Sequence, residues 1–333
     1  MKILRALAGS IVLLAVTASQ GAGQVLTGPN GPVEFIGLQN WDAQELFDAI
    51  QELDPGRPFH ACAATMKQGL GFADAAAFLY FDSPSPSNRY TVVVGVEDST
   101  RVEYRAAGGE SLKLPETWQN LQAVAGKDIN MLTVVASTLH LRDSASKLAE
   151  FMGVDSETLN QVWDLVDRAD GSEDLHLAHE VLAKDSSWSA RAIATLVLGS
   201  FIGDNTAWHG LVGSLIDTDG RVNTVALQTL VGMIRQERDP VDWSLARGPL
   251  LALFGGTNPF AFGGILEVLV VTDVAPEFGQ QLARKRPDLL LAHVGAEHAG
   301  TREPAIAFLK AISGEDFGAD LEAWTAWVSG QRD

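Results

Sequence analysis

Two hydrophobic rhythms divide this 333-residue chain. From Val33 to Ala107 alternating and helical spacings are mixed, whereas from Pro115 onward helix-length amphipathic segments recur and no strand is expected. In the first part, VEFIGL (33–38) predicts a short strand. DAQELFDAIQEL (42–53) sets Leu46, Phe47, Ile50 and Leu53 at helical spacing, with Asp42 as N-cap and Glu45 completing a capping box. A turn at Asp54-Pro55-Gly56 ends that helix, a second helix is expected over 60–69, and AAAFLYF (75–81) is apolar enough for a buried strand. Beyond the turn-rich DSPSPSN (82–88), YTVVVGVED (90–98) places Val92, Val94 and Val96 on one strand face, and TRVEYRA (100–106) alternates in the same way. These last three segments are expected to pair as an antiparallel meander with helices over one sheet face, which makes residues 24–110 a small α+β domain. The glycine-rich, polar AAGGESLKLP (106–115) reads as the boundary that follows it.

The second part predicts helices at 129–141, 156–169, 189–201 and 222–234, joined by short turns rich in Asp, Gly, Ser and Asn. Internal similarity relates these helices. DSSWSARAIATLVL (185–198) aligns with DTDGRVNTVALQTL (217–230) so that Asp185 meets Asp217, Ala190 meets Val222, Ala194 meets Ala226 and Leu198 meets Leu230. TREPAIAFL (301–309) repeats the spacing through Arg302, Ala305 and Leu309, with Arg302 answering Arg191. A small residue in the middle of such a helix admits the neighbouring backbone, and a leucine one turn later fills the core that adjacent pairs share. The pattern resembles the HEAT repeat, in which an Asp-bearing turn leads into a helix carrying Arg, then Ala, then Leu; Asn223 departs from it where the family has Arg.

The chain's last stretch, GEDFGADLEAWTAWVSG, is similar to the end of many exported bacterial HEAT-repeat proteins. There Asp320 is expected to cap a short helix whose Trp324 and Trp327 cover the open end of the stack. The resemblance implies a mainly α chain: the small N-terminal α+β domain, then an α-α solenoid of about five or six HEAT-like pairs over 115–333, closed by the terminal helix. It also implies a non-enzymatic scaffold that binds a protein or peptide through the solenoid surface.

Composition sharpens this picture. Lys2 and Arg5 precede an apolar run from Ala6 to Ala18 followed by small residues, so residues 1–23 are read as a secretory signal and the mature chain as periplasmic or secreted. The 24 basic residues against 42 acidic ones give a formal charge of −18, which disfavours nucleic acid and anionic lipid and favours a basic partner. Glycines, Pro259 and Glu267 interrupt the apolar stretch 250–271, which is therefore not read as a membrane span. Cys62 is the sole cysteine, so no intrachain disulfide can form, and it is expected to be a buried, inert thiol.

Candidate chemistry is sparse. In EDLHLAHE (173–180), His176 and His179 stand three apart on a predicted helix, near enough to share a metal ion with a carboxylate such as Glu180, although the spacing is neither the His-Glu-x-x-His signature nor its inverse. Polar positions near 175–184 and 205–214 are the expected groove residues. His60 and Cys62 invite a base–nucleophile reading, but two residues apart in one segment they point apart. DTDGR (217–221) lacks the spacing of a calcium loop and reads as an inter-helix turn. No phosphate-binding, nucleophile-elbow or cofactor motif is present, so no cofactor is expected. The rival class is a hydrolase or metal-dependent enzyme, with its site between the two domains and drawing on His60 or on His176 and His179.

Overall fold

The computed structural model describes residues 23–81, 89–141, 147, 149, 150 and 153–330; the expected signal segment, apart from Gly23, and the turn 82–88 lie outside the described residues. The chain is mainly helical, with one small sheet near its beginning.

That sheet has four strands, β1 (Gln24–Gly28), β2 (Gly31–Ile36), β3 (Asp74–Phe81) and β4 (Arg89–Val96), in the order β1-β2-β4-β3. β1 and β2 form a hairpin, β2 runs parallel to β4, and β3 and β4 are antiparallel. Gly31 turns the hairpin at φ +122°, and a Cβ there would stand 2.0 Å from the Arg89 carbonyl oxygen, so only glycine fits. The expected three-stranded meander is corrected on two counts. The hairpin partner β1 joins the sheet from the start of the described chain, and residues 100–106 form no strand.

The helices α1 (Ala43–Leu53) and α2 (Ala63–Gly69) cover one sheet face. Asp42 caps α1 by accepting from Gln44 N at 2.8 Å and Glu45 N at 3.3 Å. Leu46, Phe47 and Ile50 of α1 are buried against Val33, Phe35 and Val93 in a core of their own, while Leu53 is left exposed. The opposite face, bearing Ile36, Ala76, Val92 and Val94, belongs to the large core of the helical body. The alternation in β4 thus serves two cores at once.

The helical body contains α3 (Glu116–Lys127), α4 (Ile129–Ser137), α5 (Ser156–Asp167), α6 (Ser172–Lys184), α7 (Trp188–Leu198), α8 (Asn205–Ser214) and α9 (Gly220–Met233). It continues with α10 (Arg247–Gly255), α11 (Phe262–Val271), α12 (Pro276–Lys285), α13 (Asp288–Val294), α14 (Ala299–Ser313) and α15 (Leu321–Ser329). Four helix pairs follow one another, α6/α7, α8/α9, α10/α11 and, after α12, α13/α14; the first, second and fourth pack helix against helix, while α10 and α11 meet at a bend. Their second helices contact one another in the series α7, α9, α11, α14, and their first helices in the series α6, α8, α10, α13. Ala194, Leu198, Ala226 and Leu230 are all fully buried at the positions where the repeat places small and large side chains.

Two features depart from an open stack. First, α3 packs on α7 and α4 packs on α9, so the second-helix face of the first two pairs is covered by the chain itself. Every residue from Ala190 to Leu198 is buried as a result. Second, the segment after β4, which runs into the expected boundary at 106–115, is a strap laid across the turns between paired helices. Arg101 Nε donates to the Gly255 carbonyl at 3.0 Å and Glu103 N to Thr257 Oγ1 at 2.8 Å. Arg105 N donates to the Ile216 carbonyl at 2.6 Å, and Glu110 N to that of Lys184 at 2.9 Å. The alternation in TRVEYRA therefore satisfies helix turns where a neighbouring strand was expected. Gly108 is needed for this close approach, because a Cβ there would meet the Lys184 carbonyl oxygen at 2.0 Å.

Among the described residues no single helix is long and apolar enough to cross a membrane; α10 and α11, which carry the apolar stretch, are bent 106° from each other at the Gly and Pro residues.

Candidate interaction surface

The first helices of the pairs keep one side in solvent, and the histidines singled out in the sequence lie on it. Glu173 and Asp174 sit in the first turn of α6, where the helix dipole favours anions, and the following turns carry His176, His179 and Glu180. His176 and Glu180 are exposed and His179 is half-buried. His179 leans toward α8, where its Nε2 lies 3.1 Å from Thr206 Oγ1. Gly210 gives the ring its room: a Cβ at that position would stand 3.1 Å from His179 Cε1.

The α8 side of this contact is built by a cap. Asp204 accepts from Thr206 N at 2.8 Å and from its hydroxyl at 2.6 Å, and these bonds, the hydroxyl's first, hold the Asp204 carboxyl below the usual carboxylate range. The neighbouring His209 places Nε2 at 2.5 Å from the Asp242 carbonyl oxygen and its ring 6.1 Å from that of Trp243. Burial lowers the His179 pKa; positive charge on His176 or His209 acts in the same direction, and Asp204 opposes it. The row continues past Leu245, which is 79% exposed, to Arg247, whose guanidinium donates to Gln281 Oε1 at 2.6 Å.

The predicted metal pair does not close into a site. Glu180 binds Lys184 at 2.8 Å, His179 is turned to Thr206, and among the described residues no three His, Cys, Asp or Glu side chains converge on a point that an ion could occupy. His60 is not brought to these residues. It lies in the 3-10 turn Phe59–Ala61, on the sheet face that packs with α1 and α2, away from the helical body. Its neighbour Cys62 is buried with Sγ 3.8 Å from Met66 Sδ, and desolvation pushes its thiol up to about 12. Thiolate chemistry at neutral pH is therefore suppressed.

The chemically richest place is the seam between sheet and helical body. There Glu34, fully buried, accepts from Tyr90 Oη at 3.1 Å, and the His298 ring stacks on Tyr80 at 3.9 Å. Asp74, also buried, accepts from the Tyr104 hydroxyl at 2.5 Å and pairs with Lys67 at 3.2 Å. Burial first, then the charge of Asp74, raises the Tyr104 pKa, so the phenol keeps its proton and donates. None of these seam residues was singled out for chemistry from sequence, because apart from Lys67 and Asp74 the partners lie 30 or more positions apart.

No family model, curated protein or solved structure matches the chain.

At the terminus, Asp320 accepts from Ala323 N at 3.0 Å and caps α15. Trp324 is fully buried, with Nε1 donating to the Gly318 carbonyl at 2.9 Å, and Trp327 is nearly so. The helix packs on α12 and α13.

Proposed function

We propose that this chain is an exported, non-enzymatic scaffold whose helical part is a HEAT-like α-solenoid, and that it binds a protein or peptide along the row formed by the first helices α6, α8 and α10 and continued by α12. One observation carries the choice of surface: in the first two pairs the chain covers the second-helix face itself. Helices α3 and α4 lie on the second-helix face of α7 and α9, and the strap and the sheet occupy the turns. What stays open is the row bearing His176, His179, Glu180, His209 and Leu245, a mixture of polar anchors and one strongly exposed apolar side chain suited to peptide contact. The formal charge of −18 favours a basic partner. The series of contacts among α7, α9, α11 and α14, and the buried tryptophans of α15, support the solenoid reading. The metal-dependent alternative loses support, since His179 is engaged with Thr206 and Glu180 with Lys184.

The test is site-specific photo-cross-linking of the full chain in the exporting cell. The cross-linker is placed at His176, His209 and Leu245, and at exposed Glu52 and Lys113 as controls on other faces. Discrete adducts are expected from the three row positions and not from the controls. Adducts confined to the control positions, or none from the row, would overturn the assignment.

A further inference from the structure

The second helices of the four pairs start alike. The backbone N–H of the residue that opens each, the caps Ser187, Asp219 and His298 and, for α11, Asn258 at the head of the 3-10 turn Pro259–Ala261 that leads into it, donates to a carboxylate with almost no solvent exposure. The acceptors are Asp185 Oδ1 at 2.7 Å, Asp217 Oδ1 at 2.9 Å, Asp74 Oδ2 at 2.9 Å and Glu34 Oε2 at 3.1 Å. In the first two pairs the carboxylate stands two residues before the helix cap, inside the turn. In the third and fourth pairs that position holds Gly256 and Ala296, which have none to offer. The acceptors there arrive from β3 and β2 of the sheet. In three of the four pairs the turn carbonyl is held alike: Arg191 Nη1 donates to the Asp185 carbonyl, Asn223 Nδ2 to that of Asp217 and Arg302 Nη1 to that of Ala296, each six residues back.

We infer that Asp74 and Glu34 are the missing turn carboxylates of the third and fourth pairs, and that the turns of those pairs form an intramolecular docking surface for which the sheet is the fitted partner. A helix N-terminus collects unpaired N–H donors and partial positive charge, and it recruits a carboxylate from wherever one is held. Gly256 cannot regain its own: at φ +122°, with Val96 Cγ1 2.8 Å from a would-be Cβ, an aspartate does not fit. Ala296 has no such backbone restriction. Glu34 also accepts from Glu297 N at 2.5 Å, so a single carboxylate seats two amides of that turn. The sheet is then a permanent part of the helical body, coupled to it by charge as well as by the shared apolar core.

The Glu34 carboxylate and one restored at position 296 are interchangeable on this view, which a double-mutant cycle in the full chain tests. Glu34→Ala should lower Tm by about 3 °C or more and strip hydrogen-exchange protection from the amides of Glu297 and His298. Ala296→Asp alone should also destabilise, because it sets a second carboxylate beside the buried Glu34. Combined, Ala296→Asp should restore much of the Tm lost in Glu34→Ala and return protection to His298, reversing its own sign. If Glu34→Ala yields no folded chain, the cycle is run with Glu34→Gln, which keeps the side-chain shape. Additive losses, or His298 protection unchanged by removal of Glu34, would overturn the assignment.

Discussion

Arg191 on α7 and Asp217 in the turn before α9 join two neighbouring helix pairs through a buried two-pronged contact, Nε to Oδ2 at 2.9 Å and Nη2 to Oδ1 at 3.0 Å. The same guanidinium holds the carbonyls of Asp185 and Ser186, each at 3.0 Å, so one side chain fixes the turn of its own pair and grips the next. Arg105 of the strap also reaches Asp217 Oδ2, at 3.5 Å.

Breaking such a pair from one side leaves a buried charge uncompensated. Asp217→Ala and Arg191→Ala should each cost about 3–5 kcal/mol in urea unfolding. The double variant should fall short of the sum by more than about 1 kcal/mol, since the two residues lose one shared contact. Strict additivity would mean that the contact does not couple the pairs.

Gly232 tests the close packing of α4 on α9. A Cβ there would stand 2.1 Å from the Ala136 carbonyl oxygen, which belongs to a backbone that cannot swing aside. Helix propensity alone predicts that Gly232→Ala stabilises by about 1 kcal/mol, whereas overpacking costs about 1–3 kcal/mol. The overlap should win, and the variant should unfold at lower denaturant. Gly126→Ala on α3, where a Cβ meets nothing within 4 Å, should shift the midpoint slightly the other way.

The helical part was legible in the sequence where its information is local. The spacing of Ala194 and Leu198, the cap at Asp320 and the paired indoles need only a few neighbouring residues to be read, and all sit as expected. The seam was not legible for the opposite reason. Nothing near Glu34 tells that its carboxylate is buried, because the amides it accepts from lie 263 and 264 positions away. Val102 and Tyr104 alternate as a strand would, yet the strap's bonds go to distant helix turns; Glu103 N reaches Thr257, 154 positions away. His209 joins the histidine row with its ring turned to Asp242 and Trp243, a contact across 33 positions that no local pattern shows. The glycine at 210, small where α8 meets the His179 ring, was the one local sign of the contact with α6.

His293 supplies a pH dependence. It is fully enclosed on α13, with its Nδ1 proton given to the Leu289 carbonyl at 2.9 Å and its ring 4.9 Å from Phe262. Burial pushes its pKa from 6.5 down to about 4, with the Leu289 bond opposing. A depressed folded-state value means that the unfolded chain takes up the proton first. The stabilising contribution is therefore complete above the unfolded pKa and is lost as pH falls from 6.5 toward 4, by about 3 kcal/mol at the lower end. Urea midpoints measured between pH 7 and pH 4 should decline less steeply for His293→Leu than for the parent chain. Parallel slopes would show that this imidazole is protonated at little cost.

Trp324 decides whether the terminal helix seals the stack or merely decorates it. Its indole is fully buried, donates to the Gly318 carbonyl at 2.9 Å and meets Phe317 edge-on at 4.7 Å and Trp327 at 6.1 Å. Trp327 lies in turn under the Arg284 guanidinium of α12, 5.6 Å from the ring centroid. Trp324→Ala should therefore cost about 3–5 kcal/mol, as loss of a large core side chain does. In a stack whose units touch only their neighbours the damage should stay at that end. Hydrogen exchange should accelerate in α12, α13 and α15 while α6 to α9 keep their protection, and Trp327 fluorescence should shift toward that of a solvated indole. Uniform loss of protection along the whole helical body would instead mean that the pairs unfold as one block, and that α15 is part of a single core with no end to seal.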